Sequence, residues 1–477
     1  MRQIGAVYPN ANIAIVGAGP AGLSTAWFLS KHGFNNVTVL EKLGRIGGLC
    51  KSITVDGMSY DLGANYLTWT YQKTLAIAEE VGVTTYAEKP YTSIDVAPDW
   101  SHFQYRSLYE AVLYNPYTKV RISIWTFLWA AIRYLYIRCW GLKDIIDVPN
   151  SLDAIHKHPE LCITFKDWLA NNDLMPLATL FEFPITIMGY GRLEEIAAPY
   201  ALRYMTCRTF FPMVFGRGPI NWIIGTWPRR FTEGFQRLWE RVSWRLNVRL
   251  NVKITKIARS PAGIQIDMEY PEQALNKIKI VTAKEKYDYL VLACPLTADV
   301  FEQLHLVPNA AEQKVISEIQ INPYCMTTFW IDMKPQMAAP VAPVLPLTEQ
   351  GTPWAVARQF QDNGSMFTQF YTRPTEDQGD DEVVKHDVVK QVKRLTKLVG
   401  GTIDPTKWHT FDRFTYFQHF TPEQIKAGIY AHLAGMQGGD KTFYVGGATD
   451  FELVEPIVVH SKYIVETYFA GTADRAK

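Results

Sequence analysis

The amino-acid sequence predicts an α/β protein in which a parallel-sheet domain is assembled from discontinuous segments, with a mixed-sheet domain and a helical lobe inserted between them. Three observations predict this class. The N-terminal stretch alternates strand and helix patterns around a glycine-rich turn. A short apolar run, "YDYLVLACP" at residues 287–295, has the composition of a fully buried strand. Near the C-terminus, "KTFYVGGATD" and "PIVVHSKYIVETYF" have the pattern of one more strand, turn and helix.

Length and changes of pattern divide the chain into five segments. A chain of 477 residues exceeds the size at which a single core stops growing, so several domains are expected. We assign residues 1–92, 229–300 and 437–477 to the parallel-sheet domain, because strand and helix patterns alternate there. Residues 93–228, rich in aromatic side chains and interrupted by prolines, are predicted to form the mainly helical lobe. Residues 301–436 are predicted to form a substrate domain with an antiparallel sheet.

The composition argues against several classes of protein. The chain has 48 basic and 47 acidic residues, a net charge of +1, and no basic stripe, so no nucleic-acid partner is expected. The six cysteines are scattered without a CxxC pair, which argues against a zinc site or a disulfide framework. Reduced thiols, a cytoplasmic location and no metal site are therefore expected. No pattern indicates an oligomeric state.

The segment "VRISIWTFLWAAIRYLYIRCWGLK", Val120 to Lys143, permits two interpretations. Arg133 and Arg138 interrupt its apolar runs, so it is not expected to span a membrane. One interpretation is a buried or half-buried helix of the lobe. The other is an amphipathic, aromatic-rich helix that lies on a bilayer, as a peripheral membrane contact, or forms the mouth of a tunnel for an apolar substrate.

The motif "GAGPAG" at residues 17–22 predicts a dinucleotide site, because its context agrees with G-x-G-x-x-G. The apolar strand "NIAIV" precedes it and the helix "GLSTAWFLSKHG" follows it. Gly17 permits a tight turn, Gly19 lets the backbone approach a pyrophosphate, and Gly22 allows close packing of helix on strand. The helix N-terminus would then face the phosphates. Glu41 ends the next strand, 19 residues after Gly22, where an acid that holds a ribose hydroxyl is expected.

A second glycine cluster follows that acid in "GRIGGLCKS", and "YDLGANYL" comes after it. With these motifs the chain resembles the flavin amine-oxidase superfamily, in which an R-x-G-G element packs beside the phosphates of FAD. The resemblance implies a Rossmann-type FAD-binding domain, with "GAN" near the flavin ring and "FYVGGATD" under the ribityl chain. "NVKITKI" is similar to the segment whose backbone contacts the adenine. The expected FAD-binding residues are Gly17, Ala18, Gly19, Ala21, Gly22, Glu41, Lys42, Arg45, Gly47, Gly48, Ala64, Asn65, Val252, Gly446 and Gly447.

Within that superfamily, the chain resembles the polyenoic fatty acid double-bond isomerases over nearly its whole length, including an H-S-K element at residues 460–462. Two features depart from the pattern. Superfamily members have an acid after the glycine of the C-terminal turn, where this chain has Gly447, and Asp450 is a candidate replacement. No clear counterpart exists for the arginine that receives a fatty acid carboxylate, and Lys89 and Arg106 are the nearest candidates.

No other catalytic motif competes with the cofactor. The sequence contains no G-x-S-x-G elbow, H-E-x-x-H helix or P-loop, so the flavin is expected to carry the chemistry. In the isomerase hypothesis, a bis-allylic methylene of a polyunsaturated fatty acid gives a hydride to flavin N5. The hydride then returns at a terminal carbon of the pentadienyl cation to give a conjugated diene, without net redox change. Such a site needs dry, aromatic walls, and "FEFPITIMGYGR" and "FDRFTYFQHF" are the candidate segments.

Two other hypotheses stay open. The first is an FAD-dependent oxidase or desaturase of an amine, a carotenoid or another hydrophobic substrate, which would consume an acceptor. The second is a flavin-binding protein without turnover, suggested by the missing acid at Gly447. Hydride transfer requires no acid or base from the protein, so His419 and His460 are interpreted as structural.

Overall fold

The computed structural model describes residues 7–55, 57–68, 70–87, 93–96, 103–106, 113–115, 117–118, 120–148, 150–215, 229–274, 277–332, 353–359, 366–372, 379–399 and 402–470. In chain order the strands are β1 (Ile13–Val16), β2 (Val37–Leu40), β3 (Ser52–Val55), β4 (Met58–Asp61), β5 (Thr85–Ala87), β6 (Ser93–Val96), β7 (Phe103–Arg106), β8 (Tyr114–Asn115), β9 (Val120–Arg121), β10 (Arg229–Phe231), β11 (Asn247–Arg249), β12 (Lys253–Ser260), β13 (Gly263–Ala274), β14 (Lys277–Tyr287), β15 (Tyr289–Leu292), β16 (Gln320–Asp332), β17 (Pro353–Gln359), β18 (Met366–Thr372), β19 (Thr402–His419) and β20 (Thr442–Tyr444).

The α-helices are α1 (Pro20–Lys31), α2 (Gln72–Glu80), α3 (Ile124–Tyr136), α4 (Lys143–Ile146), α5 (Phe165–Asn171), α6 (Ala178–Ile187), α7 (Ala198–Tyr204), α8 (Cys207–Phe215), α9 (Phe235–Ser243), α10 (Ala298–Gln303), α11 (Ala310–Glu318), α12 (Asp381–Val399), α13 (Pro422–Lys426), α14 (Ile429–Met436) and α15 (Val454–Ile464). Two π-helical turns, Ile137–Gly141 and Val465–Ala470, continue α3 and α15.

A five-stranded parallel sheet, in the order β11-β2-β1-β15-β20, confirms the predicted α/β class. Its strands come from three distant parts of the chain, as a discontinuous domain requires. The sheet is buried on both faces: Ile13 and Ile15 of β1 belong to one apolar core, and Ala14 and Val16 belong to the other. This burial explains why its strands are continuous apolar runs.

The other large sheet is antiparallel, in the order β17-β18-β16-β19. Its long central strand β16 pairs with β18 and β19, so Cys325 lies opposite Thr372 on one side and opposite Arg413 on the other. A three-stranded antiparallel sheet, β12-β13-β14, leads from β11 to β15. Residues along these strands alternate between apolar and polar, which is the pattern that predicted the strands from the sequence.

Helices α3, α5, α6 and α8 pack around one aromatic centre. The ring of Tyr134 on α3 lies 4.9 Å from that of Phe181 and 4.4 Å from that of Phe210, measured between centroids. The phenolic O–H of Tyr134 donates to the carbonyl of Met205 at 2.5 Å. The region predicted as helical also contains the short hairpins β6–β7 and β8–β9.

Cys139 and Cys207 form a disulfide, so the expectation of reduced thiols is wrong for this pair. The two residues are 68 positions apart and belong to no motif, which is why spacing could not reveal them. The fold places the N-terminus of α8 beside the π-helical turn that follows α3. The four remaining cysteines are free thiols.

The segment Val120 to Lys143 forms β9, α3 and the π-helical turn. One face of α3 is buried in the helical lobe and the opposite face is exposed, which is the amphipathic arrangement. Among the residues that the structure describes, no helix is long and apolar enough to cross a membrane.

Candidate active site

The first glycine cluster lies where β1 ends and α1 begins, at the carboxyl edge of the parallel sheet. Gly17 has φ 110°, and a Cβ placed on it would lie 2.6 Å from the carbonyl oxygen of Ala293. A Cβ on Gly22 would overlap the carbonyl oxygen of Gly17. Glycine is therefore required at both positions. At Gly17 the positive φ and the nearby carbonyl both exclude a side chain, and at Gly22 there is no space for one.

The second glycine cluster packs directly on the first. The N–H of Gly47 donates to the carbonyl of Ala18 at 2.9 Å. A Cβ on Gly48 would lie 2.9 Å from Cα of Gly19, and Gly48 has φ 54°. Arg45 is held beside them, because its Nη1 donates to the carbonyl of Gly48 at 2.8 Å. The two clusters thus form one surface of bare backbone at the N-terminus of α1, where phosphates can approach closely.

Glu41 ends β2 beside this surface. The N–H of Ala18 donates to its Oε2 at 2.7 Å, and the N–H of Leu43 donates to its Oε1 at 2.8 Å. Val252 adjoins it, since the Val252 N–H donates to the carbonyl of Glu41 at 2.8 Å. A carboxylate and the following backbone segment are therefore side by side, in the order that a ribose and its adenine need.

Two further residues expected at the cofactor make contacts on neighbouring elements. Lys42 Nζ donates to Oε1 of Gln303 on α10 at 3.3 Å. The carbonyl of Ala21 accepts a hydrogen bond from Ser461 Oγ at 3.3 Å, which fastens α15 to α1. Ser461 is the centre of the H-S-K element, so that element packs against the glycine-motif helix.

The loop after β4 is fastened to the second glycine cluster. The N–H of Ala64 donates to the carbonyl of Leu49 at 3.2 Å, and Asn65 is buried. The ring of Tyr66 lies 4.3 Å below the guanidinium carbon of the buried Arg230. This loop therefore brings amide and aromatic groups to one rigid wall of the site.

The C-terminal turn follows β20 at the same edge of the sheet. The N–H of Val445 donates to the carbonyl of Leu292 at 3.1 Å, and Gly446 has φ 136°. A Cβ on Gly447 would overlap the carboxylate of Glu452. The side chain that Gly447 lacks is therefore replaced in space by a carboxylate from five residues further along the chain.

Glu452 is half-buried and anchored to the antiparallel sheet. Its Oε2 accepts a hydrogen bond from the N–H of Gln418 at 3.2 Å. Burial raises the pKa of its carboxyl to about 7, although the bond from Gln418 opposes this. No motif in the sequence marks this residue. Its position five residues after Gly447 would identify it as a neighbour of that glycine only if the geometry of the turn were already known.

Asp450, the replacement considered from the sequence, makes a different contact. Its Oδ2 accepts from Nη2 of Arg203 on α7 at 2.7 Å, and both side chains are buried. Burial raises the pKa of Asp450 to about 6, while Arg203 lowers it. Glu452 is therefore the better placed of the two carboxylates beside Gly447.

Both candidate histidines are held by internal contacts. His460 is buried, its Nδ1 lies 3.2 Å from Thr449 Oγ1, and burial lowers its pKa to about 3, with Arg203 adding to the effect. His419 Nδ1 lies 2.7 Å from the carbonyl of Phe417, and the two rings stack at 4.4 Å. These contacts agree with a structural interpretation.

An aromatic cluster fills the space between the helical lobe and the antiparallel sheet. The ring of Tyr190 lies 5.6 Å from that of Tyr204, 5.6 Å from Tyr416, 5.0 Å from Phe417 and 5.0 Å from Phe451, measured between centroids. Tyr190 belongs to "FEFPITIMGYGR", and Tyr416 and Phe417 belong to "FDRFTYFQHF". The fold thus brings together the two segments proposed as aromatic walls.

Tyr71 connects this aromatic cluster to the loop beside the glycine clusters. Burial raises its pKa well above the ordinary value, and the neighbouring Tyr204, Tyr416 and Glu455 raise it further. Burial likewise raises the pKa of Tyr190. These phenols stay neutral at physiological pH, so the wall is polarisable and uncharged.

No side-chain position is described for either of the two residues considered as carboxylate-binding candidates. Lys89 lies outside the described residues, and Arg106 belongs to β7 without a described side chain.

Comparison with known families identifies the class. The sequence model described as "Flavin containing amine oxidoreductase" matches residues 191–452, more than half of the chain. A "NAD(P)-binding Rossmann-like domain" matches residues 15–81, which contain both glycine clusters. The chain belongs to the flavin-containing amine oxidoreductase family. It is a flavoenzyme, and FAD is its cofactor, which fits the bare-backbone surface, the carboxylate of Glu41 beside it and the C-terminal turn.

The chain is similar to particular members of the family over nearly its whole length. It is 23% identical to the polyenoic fatty acid isomerase of Ptilota filicina, with 96% of this chain and 95% of the relative covered. The fold is similar to that of a CLA-producing fatty acid isomerase from P. acnes, with a TM-score of 0.78, 22% identity, and 97% and 100% of the two chains covered. A putrescine oxidase has a TM-score of 0.66 at 14% identity, with 98% and 99% covered.

Proposed function

We propose that this flavoenzyme isomerises double bonds of polyunsaturated fatty acids, moving a bis-allylic hydride out and back with no net redox change. One observation carries the proposal. The similarity to a polyenoic fatty acid isomerase covers 96% of this chain and 95% of the relative, so it extends beyond the segments expected to bind FAD into the inserted parts of the chain. The chemical class of substrate is a hydrophobic small molecule with a carboxylate.

The residues that would hold FAD are those expected from the sequence, with one addition. Gly17, Gly19, Gly22, Gly47 and Gly48 offer bare backbone to the pyrophosphate. The other contacts would come from Ala18, Ala21, Glu41, Lys42, Arg45, Ala64, Asn65, Val252, Gly446 and Gly447. We add Glu452, whose carboxylate occupies the space beside Gly447 and can accept a hydrogen bond from a ribityl hydroxyl.

The protein's own groups suit a reaction that needs no proton. When bound, FAD supplies a hydride acceptor and donor. The aromatic cluster around Tyr190 presents π-faces that stabilise positive charge on a pentadienyl system. Its dense packing excludes water, which would otherwise trap a cation. The neutral phenols offer no base that could remove a proton from the substrate.

The domain arrangement supports the same proposal. Residues 1–92, 229–300 and 437–477 would bind FAD, while residues 93–228 and 301–436 would enclose the substrate. The aromatic cluster lies where these two inserted parts meet, because Tyr204 comes from α7 and Tyr416 from β19.

An FAD-dependent oxidase or desaturase is the second candidate. The specific observation in its favour is the fold, which is also similar to a putrescine oxidase over 98% of this chain. In that case the substrate would be an amine, a carotenoid or another hydrophobic molecule, and each turnover would leave reduced cofactor that needs an acceptor.

An anaerobic assay separates the two candidates. The FAD-loaded enzyme is mixed with linoleic acid without oxygen or any added acceptor, and conjugated-diene absorbance and the flavin spectrum are followed together. Repeated formation of diene with the flavin oxidised at the end is the expected result. Flavin that bleaches and regains its colour only in air would assign the chain to the oxidase or desaturase class.

A further inference from the structure

A row of large apolar side chains is exposed along the outer face of α3 and the π-helical turn after it. Its members are Trp125, Trp129, Ile132, Tyr136 and Trp140, with 78%, 70%, 55%, 67% and 73% of their surface exposed. We call this row the aromatic stripe. Its spacings of four, three, four and four residues keep it on one side of the helix.

The stripe is held rigidly, because the opposite face of the same helix is buried. Phe127, Ala130, Ala131 and Tyr134 point into the aromatic centre of the helical lobe. The buried Arg138 donates to the carboxylate of Asp147 and to the carbonyl of Leu202 at 3.1 Å. The helix therefore already has a packed core face, and the stripe is a second apolar face with nothing of this chain's described residues over it.

The exposed area is at the upper end of what the largest apolar patch on a monomeric protein ordinarily reaches. At about 200 Å² for each aromatic side chain, the stripe exposes roughly 600 Å². A patch of that size marks an interaction surface. If the stripe faced a second copy, the pair would bury on the order of 1,200 Å², which is below the range of obligate homodimers.

Charge and residue type favour a lipid surface as the partner. Of the four cations between Val120 and Lys143, Arg138 is buried against Asp147 and Arg133 pairs with Asp173, so Arg121 and Lys143 are the two left for a lipid surface. Arg121 and Lys143 are exposed at its two ends, where lipid phosphates would meet them. Tryptophan and tyrosine are the side chains that prefer the boundary between headgroups and acyl chains, since they combine an apolar ring with a hydrogen-bond donor.

We propose that the aromatic stripe binds the surface of a phospholipid bilayer, with α3 parallel to the membrane plane and its tryptophans inserted at the headgroup boundary. The stripe faces away from the lobe's buried centre, so a tunnel mouth is not needed to explain its exposure. This binding does not depend on which substrate the flavin site accepts, and the membrane would be both a docking surface and, for a lipid substrate, its source.

The test uses the full-length, FAD-loaded enzyme and vesicles that contain no substrate. Sedimentation with vesicles of phosphatidylcholine, with and without phosphatidylglycerol, measures the bound fraction. The W125S/W129S/W140S variant is expected to lose at least tenfold in partition coefficient. The matched control is W244S, because Trp244 is 67% exposed but lies after α9 on the parallel-sheet domain. That control should bind as the parent does.

Two additional measurements test whether a lipid bilayer or a second copy of the chain covers the aromatic stripe. Replacing Arg121 and Lys143 by Gln should reduce the preference for vesicles with phosphatidylglycerol, and high salt should do the same. A triple variant that keeps the flavin spectrum and the melting temperature but still binds vesicles would overturn the proposal, as would a parent enzyme that ignores both vesicle types. A parent dimer that the triple variant dissociates would assign the stripe to a second copy instead.

Discussion

Gly447 and Glu452 show how one residue can replace the side chain that another lacks. The sequence indicates a missing acid at Gly447, and the structure places the Glu452 carboxylate where a side chain at 447 would be. The N–H of Gln418 orients that carboxylate from the antiparallel sheet. The C-terminal turn is thereby connected to the antiparallel sheet through the Glu452 side chain.

Glu452→Gln should weaken FAD binding while preserving shape. The amide keeps one acceptor oxygen but loses the stronger, charge-assisted bond that a carboxylate can make to a hydroxyl. We expect the FAD dissociation constant to rise roughly tenfold, which corresponds to about 1.4 kcal/mol. Titration of the apoprotein with FAD, followed by flavin fluorescence, measures this. Glu160→Gln, at an exposed position, is the control, and equal constants for both variants would refute the role.

His460 should make stability depend on pH. Burial lowers its pKa from 6.5 to about 3, so the unfolded chain binds a proton there between these values and the folded protein does not. Stability is therefore lost as the pH falls through that window, with a slope approaching about 1.4 kcal/mol per pH unit. His460→Gln should flatten this part of the curve in denaturant melts. His386→Gln, on the exposed face of α12, should leave it unchanged.

At the scale of elements, the disulfide between Cys139 and Cys207 fastens α8 to the end of the helix that carries the aromatic stripe. It closes a loop of 68 residues, and cross-linking a loop of that length restricts the unfolded chain. The helical lobe thus has a covalent brace on its outer side, next to its exposed apolar surface.

Thiol titration of the unfolded, unreduced protein should give four thiols, because two of the six cysteines are paired. Cys207→Ser should then lower the free energy of unfolding of the oxidised protein by about 2–4 kcal/mol. The same substitution should have little effect when the parent is kept reduced. Six reactive thiols in protein purified without reductant would contradict the pairing.

At the scale of the whole molecule, two ion pairs, one buried and one partly buried, join the helical lobe and the antiparallel sheet to the segments around the glycine clusters and the C-terminal turn. Arg203 of the helical lobe contacts Asp450 beside the C-terminal turn, and its guanidinium also donates to Ser151. Lys51, next to the second glycine cluster, contacts Asp412 of the antiparallel sheet at 2.5 Å. These pairs fix the helical lobe and the antiparallel sheet against the glycine clusters and the C-terminal turn.

Arg203→Met should be strongly destabilising, because it leaves the Asp450 carboxyl buried without its cation. The expected loss is about 3–5 kcal/mol in the free energy of unfolding, measured with denaturant on the FAD-loaded enzyme. Lys253→Met removes an exposed pair with Glu269 and should cost at most about 1 kcal/mol. Similar losses in the two variants would show that the buried pair does not hold the lobe.

Much of the cofactor domain was predictable because its signals are local. The turn after β1, the acid at the end of β2 and the second glycine cluster all lie between Gly17 and Gly48, and backbone geometry restricts the glycines to particular positions. The disulfide and the Glu452 carboxylate were not predictable in the same way, because each depends on which distant elements become neighbours, and spacing in the sequence carries no information about that. The exposed face of α3 was one of two interpretations that the sequence left open, and the packing of the lobe decided between them.

The sequence by itself determined the α/β class and a dinucleotide-binding turn, because a strand, a glycine-rich turn and a helix in that order are typical of one. Its resemblance to the flavin amine-oxidase superfamily indicated FAD. It also indicated the aromatic segments "FEFPITIMGYGR" and "FDRFTYFQHF", because runs rich in apolar side chains are ordinarily buried. Only the tertiary structure decided that those segments meet at Tyr190, that Glu452 stands beside Gly447, and that the stripe from Trp125 to Trp140 faces outward. Side chains far apart in the chain acquire a shared environment only when the lobes pack, and packing is a property of the whole fold.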